Sequence, residues 1–350
     1  MKNKLLVFYI FLFILIFNFS FNKTHAQNSK DATTYLLTIE KENSAITNDL
    51  WEYTSSVAHN KSAKKVESRR KDLLNTLTKA INKISSMEAF EGDNVLRDSL
   101  VSFLQLCYNV LNQDYGKIVD MEEIAEQSYD EMEAYMLAQE KANDKLDKAN
   151  DQVSDIYINF ANKYNIRLTE KKDKITVNLI NAGQVLKYYN RIYLVFFKSF
   201  KQEAYLLNAL EKNDLNSIEQ NRNKLAQISS DDLKRLDSIK SFKGDNSIKS
   251  SCVQLLKFYN LEASKKIQIL TNCELRKEDF EKIKSIVENK DETSRTQADI
   301  DQYNKTGIEY KKAIDDYNNT NKELNDLRNK YLSDWNYSVK LFMEKYIPKK

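Results

Sequence analysis

The chain has 350 residues, of which 41% are hydrophobic and 30% charged, enough apolar material for a packed core and too much for wholesale disorder. One Pro and five Gly exclude an all-β or α/β domain of this length, because the many tight turns of such folds consume both residues. The formal net charge is +3, and it falls entirely on the first residues.

Those residues have the pattern of a secretion signal. Lys2 and Lys4 precede an unbroken apolar run from Leu5 to Phe17, and Thr24-His25-Ala26 ends on a small residue before Gln27. The run is short for a membrane span, which needs about 20 apolar residues. The expected processing is cleavage after Ala26, with export to the periplasm, the outer surface or the medium and no membrane span afterwards. Removing Lys2, Lys4 and Lys23 from the 54 basic residues leaves 51 against 51 acidic ones. A neutral mature chain lacks the basic footprint of a nucleic-acid binder.

From Asp31 to Asn60 a helical period runs through Tyr35, Ile39, Ile46, Leu50, Tyr53 and Val57. A basic stretch from Lys61 to Lys71 leads into a second helix marked by Val66, Leu73, Leu77, Ile81, Ile84 and Met87. Phe90-Glu91-Gly92-Asp93-Asn94 breaks it. A third helix follows through Leu96, Leu100, Phe103, Leu104 and Cys107, and a fourth from about Glu122 to Tyr164. The pattern then restarts with an apolar helix over Asp173 to Leu210 and another over Leu215 to Ile239. Phe242-Lys243-Gly244-Asp245-Asn246 breaks that one, a helix from Ile248 to Thr271 follows, and a last section runs from Leu275 to Ile347.

The two breaks lie 152 residues apart. At that offset ten of the 35 positions from Arg70 to Leu104 are identical, among them Phe90/Phe242, Gly92/Gly244, Asp93/Asp245 and Asn94/Asn246. Gly supplies a left-handed backbone and the neighbouring Asp or Asn a cap, so the motif is expected to be a structural corner rather than a ligand site. The expected fold is all-α: two tandem helical-bundle repeats of about four helices each, residues 31–170 and 173–350. The match of Ser154-Asp155 to Ser333-Asp334 gives the second repeat about 27 additional residues, near 291–330. There Ile300, Tyr303, Gly307, Tyr310, Ile314, Tyr317, Asn321 and Leu324 alternate spacings of three and four, a weak heptad seam suited to an intramolecular bundle or, less so, a coiled coil.

Chemistry-bearing patterns are sparse. His59 is the one histidine after Ala26, which leaves little for a Ser-His-Asp or Cys-His arrangement, and it is expected to be solvated. No Glu-x-x-His pair, zinc spacing or glycine-rich phosphate loop is present, so no catalytic residue, cofactor or metal ligand is expected. The acids from Asp120 to Glu133 scatter around a helix. The three cysteines, Cys107, Cys252 and Cys273, are expected as small buried or half-buried thiols. The most apolar stretch, Tyr188 to Leu207, presents Tyr189, Ile192, Tyr193, Phe196 and Phe200 on one face. With Tyr310 and Tyr317 these are the candidate interface or pocket residues; a core helix is the simpler reading of the stretch.

The leader, the Tyr- and Asn-rich helical body and the Phe-x-Gly-Asp-Asn corners together resemble an uncharacterised family of bacterial exported, all-helical surface proteins. The resemblance implies export to the envelope or surface and supplies no catalytic residues. Many such relatives are lipoproteins, whereas this chain has no Cys at the end of its leader. The functional expectation is a non-enzymatic protein that binds or scaffolds a partner, most simply another protein, through helix faces. The alternatives are a sensor-like bundle holding a small ligand between the repeats and, last, an enzyme working with carboxylates alone.

Overall fold

The computed structural model describes residues 19–21, 27–59, 61–114, 126–170 and 173–349. The expected leader lies outside these residues except for Phe19–Phe21, which pairs antiparallel with Leu168–Glu170. The acids from Asp120 to Glu123 also lie outside them. All else of regular form among the described residues is helical. The α-helices are α1 (Gln27–Ala58), α2 (Ala63–Ser85), α3 (Val95–Asn109), α4 (Tyr129–Lys163), α5 (Lys174–Glu211), α6 (Leu215–Ser238), α7 (Ser247–Leu261), α8 (Ile267–Glu288) and α9 (Gln297–Tyr346). A π-helical turn, Val110–Asp114, prolongs α3, and a second, Glu262–Lys266, joins α7 to α8 without a break. Among the described residues no helix is long and apolar enough to cross a membrane.

The helix starts follow from local side-chain chemistry. Ser128 accepts the Glu131 N–H at 3.2 Å and donates to the Glu131 carboxylate at 2.9 Å, a capping pair that opens α4. Asp214 accepts the Ser217 N–H at 3.1 Å at the start of α6. Thr296 and Asp299 exchange bonds in the same way at the start of α9, and Lys290 reaches Asp299 at 2.7 Å. These bonds hold the Asp299 carboxyl down at about 2.

The chain divides into two compact units, one running to Asn190 and taking in Lys340–Lys350, the other covering Arg191–Val339. The division falls inside α5, whereas the sequence placed it at residues 170 to 173. The physical reason is that α5 is a single uninterrupted helix whose apolar residues serve both cores. In the first unit α1, α2, α3 and α4 bury Leu36, Ile39, Tyr53, Leu73, Leu77, Leu100, Phe103, Tyr157 and Phe160. Tyr35 and Phe160 stack at 5.7 Å, and Phe90 meets Tyr164 edge-on at 4.8 Å. In the second unit the remainder of α5 packs Phe196 on Trp335 of α9 at 4.9 Å and Tyr193 on Phe197 at 5.6 Å.

Several local geometries recur at the 152-residue offset. Phe90 and Asp93 exchange two backbone hydrogen bonds, and so do Phe242 and Asp245. Both loops have two left-handed residues, Glu91 and Gly92 in one and Lys243 and Gly244 in the other, the form of a two-residue hairpin turn. Asp93 then accepts the Val95 N–H at 3.0 Å, and Asp245 the Ser247 N–H at 2.8 Å. Asn94 and Asn246 stand at the cap position without a side-chain cap bond. The glycine thus serves a tight turn between helices rather than a helix end, and the cap comes from the aspartate. Arg97 donates to the Met87 carbonyl and Lys249 to that of Ile239; Arg70 pairs with Glu67 and Arg222 with Glu219. The two π-turns begin at Val110 and Glu262, at the same offset again.

Candidate functional site

Most of the residues marked from sequence take structural places. Tyr189, Ile192, Tyr193 and Phe196 are buried and Phe200 is half-buried, so this face of α5 is core and not a free surface. Tyr310 packs against Phe280 at 5.8 Å, while Tyr317 is 37% exposed. Within the basic stretch Arg69 pairs with Glu52 at 3.3 Å and Arg70 with Glu67 at 2.8 Å, while Lys61, Lys64 and Lys65 are exposed. His59 is half-buried rather than solvated: it lies against the backbone of Ile347 and Pro348, and burial and Lys349 depress its basicity. Cys107 and Cys252 are buried free thiols, and Cys273 is partly exposed. Among the described residues no group of three or more His, Cys, Asp or Glu could hold a metal ion.

The second unit contains a charged cluster that sequence reasoning missed. Arg328 of α9 donates through Nε to Glu203 of α5 at 2.6 Å and through a terminal nitrogen to Glu262 of the π-turn at 2.5 Å. Glu203 is 2% exposed and Glu262 fully buried. The guanidinium also donates to Asn325 at 2.6 Å and lies 5.8 Å from the Phe258 ring centroid. The two carboxyl groups lie against each other, and the Tyr259 hydroxyl faces Glu203. Burial, reinforced by Glu203, pushes the Glu262 carboxyl up to about 8, and burial also raises Glu203 against the pull of Arg328. The signal in the sequence is a glutamate at the core position of an apolar helical row, Cys252, Leu255, Tyr259, Glu262, Ile267.

The counterparts of Glu203, Tyr259 and Glu262 at the 152-residue offset are Trp51, Cys107 and Val110. The first unit therefore has a π-turn at the same place without acids at these positions, and the turn itself does not require the charges. π-Turns of this kind are frequent at functional positions.

The other distinctive feature is the antiparallel pair formed by α8 and the first half of α9. Phe280 lies between Tyr303 at 5.4 Å and Tyr310 at 5.8 Å, over Gly307, where an added Cβ would stand 3.4 Å from the ring. Arg276 of α8 pairs with Glu309 at 3.4 Å, and Lys266 of the π-turn with Glu323 at 2.8 Å. Part of the expected seam is seen, with Tyr303, Gly307 and Tyr310 against Phe280 and Leu324 buried, while Thr306, Ala313 and Thr320 form a further buried row and Ile300 faces outward. Leu275, Ile286, Ile300 and Ile308 are exposed, Ile308 by 71%. Compared with family models, with curated proteins and with solved structures, the chain matches none.

Proposed function

We propose that this is a non-enzymatic exported protein of the bacterial envelope or surface that binds a partner protein through the α8–α9 helix pair. The observation that carries the reading is the set of large apolar side chains, Leu275, Ile286, Ile300 and Ile308, left in solvent on the α8–α9 pair. Helix pairs of this kind bind partners by offering apolar anchors at helical spacing to a groove or another helix. Export rests on the leader pattern of residues 1–26 and on the resemblance it shares with surface proteins.

The test compares the chain from Gln27 onward with its Ile308→Ser/Ile286→Ser variant in capture from envelope and host-surface extracts. A partner is expected that the wild type retains and the variant loses at least tenfold, with helicity and melting temperature unchanged. No retained partner, or equal retention by the variant, overturns the reading.

A further inference from the structure

We propose that Glu203, Glu262 and Arg328 form a proton-operated latch that fixes α9 against α5 and the π-turn in the second unit. The argument begins with charge counting. Two carboxyl groups and one guanidinium share a site from which water is excluded, with Glu203 2% exposed and Glu262 fully buried. Two carboxylates around one cation would leave an uncompensated buried charge, which is costly. One proton held between the acids makes the cluster neutral and lets one carboxyl group donate to the other.

Among the described residues the neighbourhood offers no other neutralising cation. Lys266 of the π-turn is engaged with Glu323 of α9 at 2.8 Å. From α7 the site receives the Tyr259 hydroxyl and, behind it, the Cys252 thiol, both raised by burial and so uncharged. From α6 the nearest acid is Asp232, which faces Lys198 and Ser199 of α5 and Arg235 of its own helix. From α9 the site receives Arg328 and the neutral Asn325. The proton therefore belongs to the Glu203–Glu262 pair.

The three residues come from three separate stretches of chain, and Arg328 attaches α9 to α5 and the π-turn beside the packing of Trp335 on Phe196. Opening the latch returns both acids to water, where they ionise in the ordinary carboxylate range. Opening thus releases a proton wherever the pH lies between that range and the raised Glu262 value of about 8. The sign follows: the latch is tightest in acid, and its opening constant rises by up to tenfold per pH unit across that window before levelling off. The latch does not depend on the partner-binding reading, since its consequence is read in the isolated protein.

Hydrogen exchange of α9 amides, followed by mass spectrometry from pH 5 to pH 8 and corrected for the intrinsic rate, tests it. In the wild type the corrected exchange is expected to rise at least tenfold over this range. Glu262→Gln, which keeps the shape and removes the proton, is expected to give a flat profile, and Glu203→Gln supplies the same test should the first variant fold poorly. Asp232→Asn is expected to keep the wild-type rise. A flat wild-type profile, a rise that persists in the Gln variants, or a rise abolished by Asp232→Asn overturns the proposal.

Discussion

At the scale of single residues, the glycines separate two roles. Gly92 and Gly244 have φ of +83° and +85°, and nothing lies within 4 Å of an added Cβ at either. The demand there is purely conformational. Gly244→Ala is expected to cost about 1–2 kcal/mol, the usual penalty of a left-handed L-residue, and Gly244→Asn distinctly less. Gly307 has an ordinary helical backbone, and its Cβ would meet Phe280 at van der Waals distance. Gly307→Ala is expected to be neutral or to stabilise by up to about 1 kcal/mol through helix propensity. Chemical denaturation of the three variants checks the ordering. The two corner glycines were legible in the sequence because a Gly-Asp-Asn break between apolar periods has few other uses. Glu262 was not, since its partners are 59 and 66 residues away in the chain and only folding brings them together.

At the scale of elements, helical periodicity located most of the helices to within a few residues. It failed where a helix had no punctuation. The expected separation between Thr271 and Leu275 does not exist: α7, the π-turn and α8 run on to Glu288, because no Gly or Pro interrupts them and the π-turn absorbs the phase shift. The α8–α9 seam was legible in part: Tyr303, Gly307 and Tyr310 do face Phe280, whereas the buried row Thr306, Ala313 and Thr320 is too small and polar to give an apolar period. The buried row of α9 there consists mostly of small residues, so Phe280, with a tyrosine ring on either side, should carry much of the pairing. Phe280→Ala is expected to cost about 2 kcal/mol, less than the 3–5 kcal/mol typical of a fully buried Phe, because the ring is only half-buried. The loss should appear as faster hydrogen exchange confined to α8 and the first half of α9.

At the scale of the whole molecule, each compact unit holds one fully buried thiol, Cys107 in the first and Cys252 in the second. Burial raises both well above the ordinary thiol range, so neither is reactive in the folded chain. Cys273 is partly exposed, with its own thiol also raised by burial and by Glu274. Alkylation followed by peptide mass spectrometry is expected to modify Cys273 slowly under native conditions and the other two only as denaturant opens their units. Rapid native labelling of Cys107 or Cys252, or a disulfide between them, would contradict this packing.

The paired π-turns also carry a chronology. A π-turn adds one residue to a helix, and an addition made twice independently has no reason to fall at the same place. Here Val110 follows Gly92, and Glu262 follows Gly244, by the same 18 residues. If the second half descends from a copy of the first, the extra residue was already present before the copying. The divergence that separates Val110 from Glu262 came afterwards. One half of the chain then gained the acid pair, or alone kept it, and in both cases the π-turn outlasted the change in what it holds.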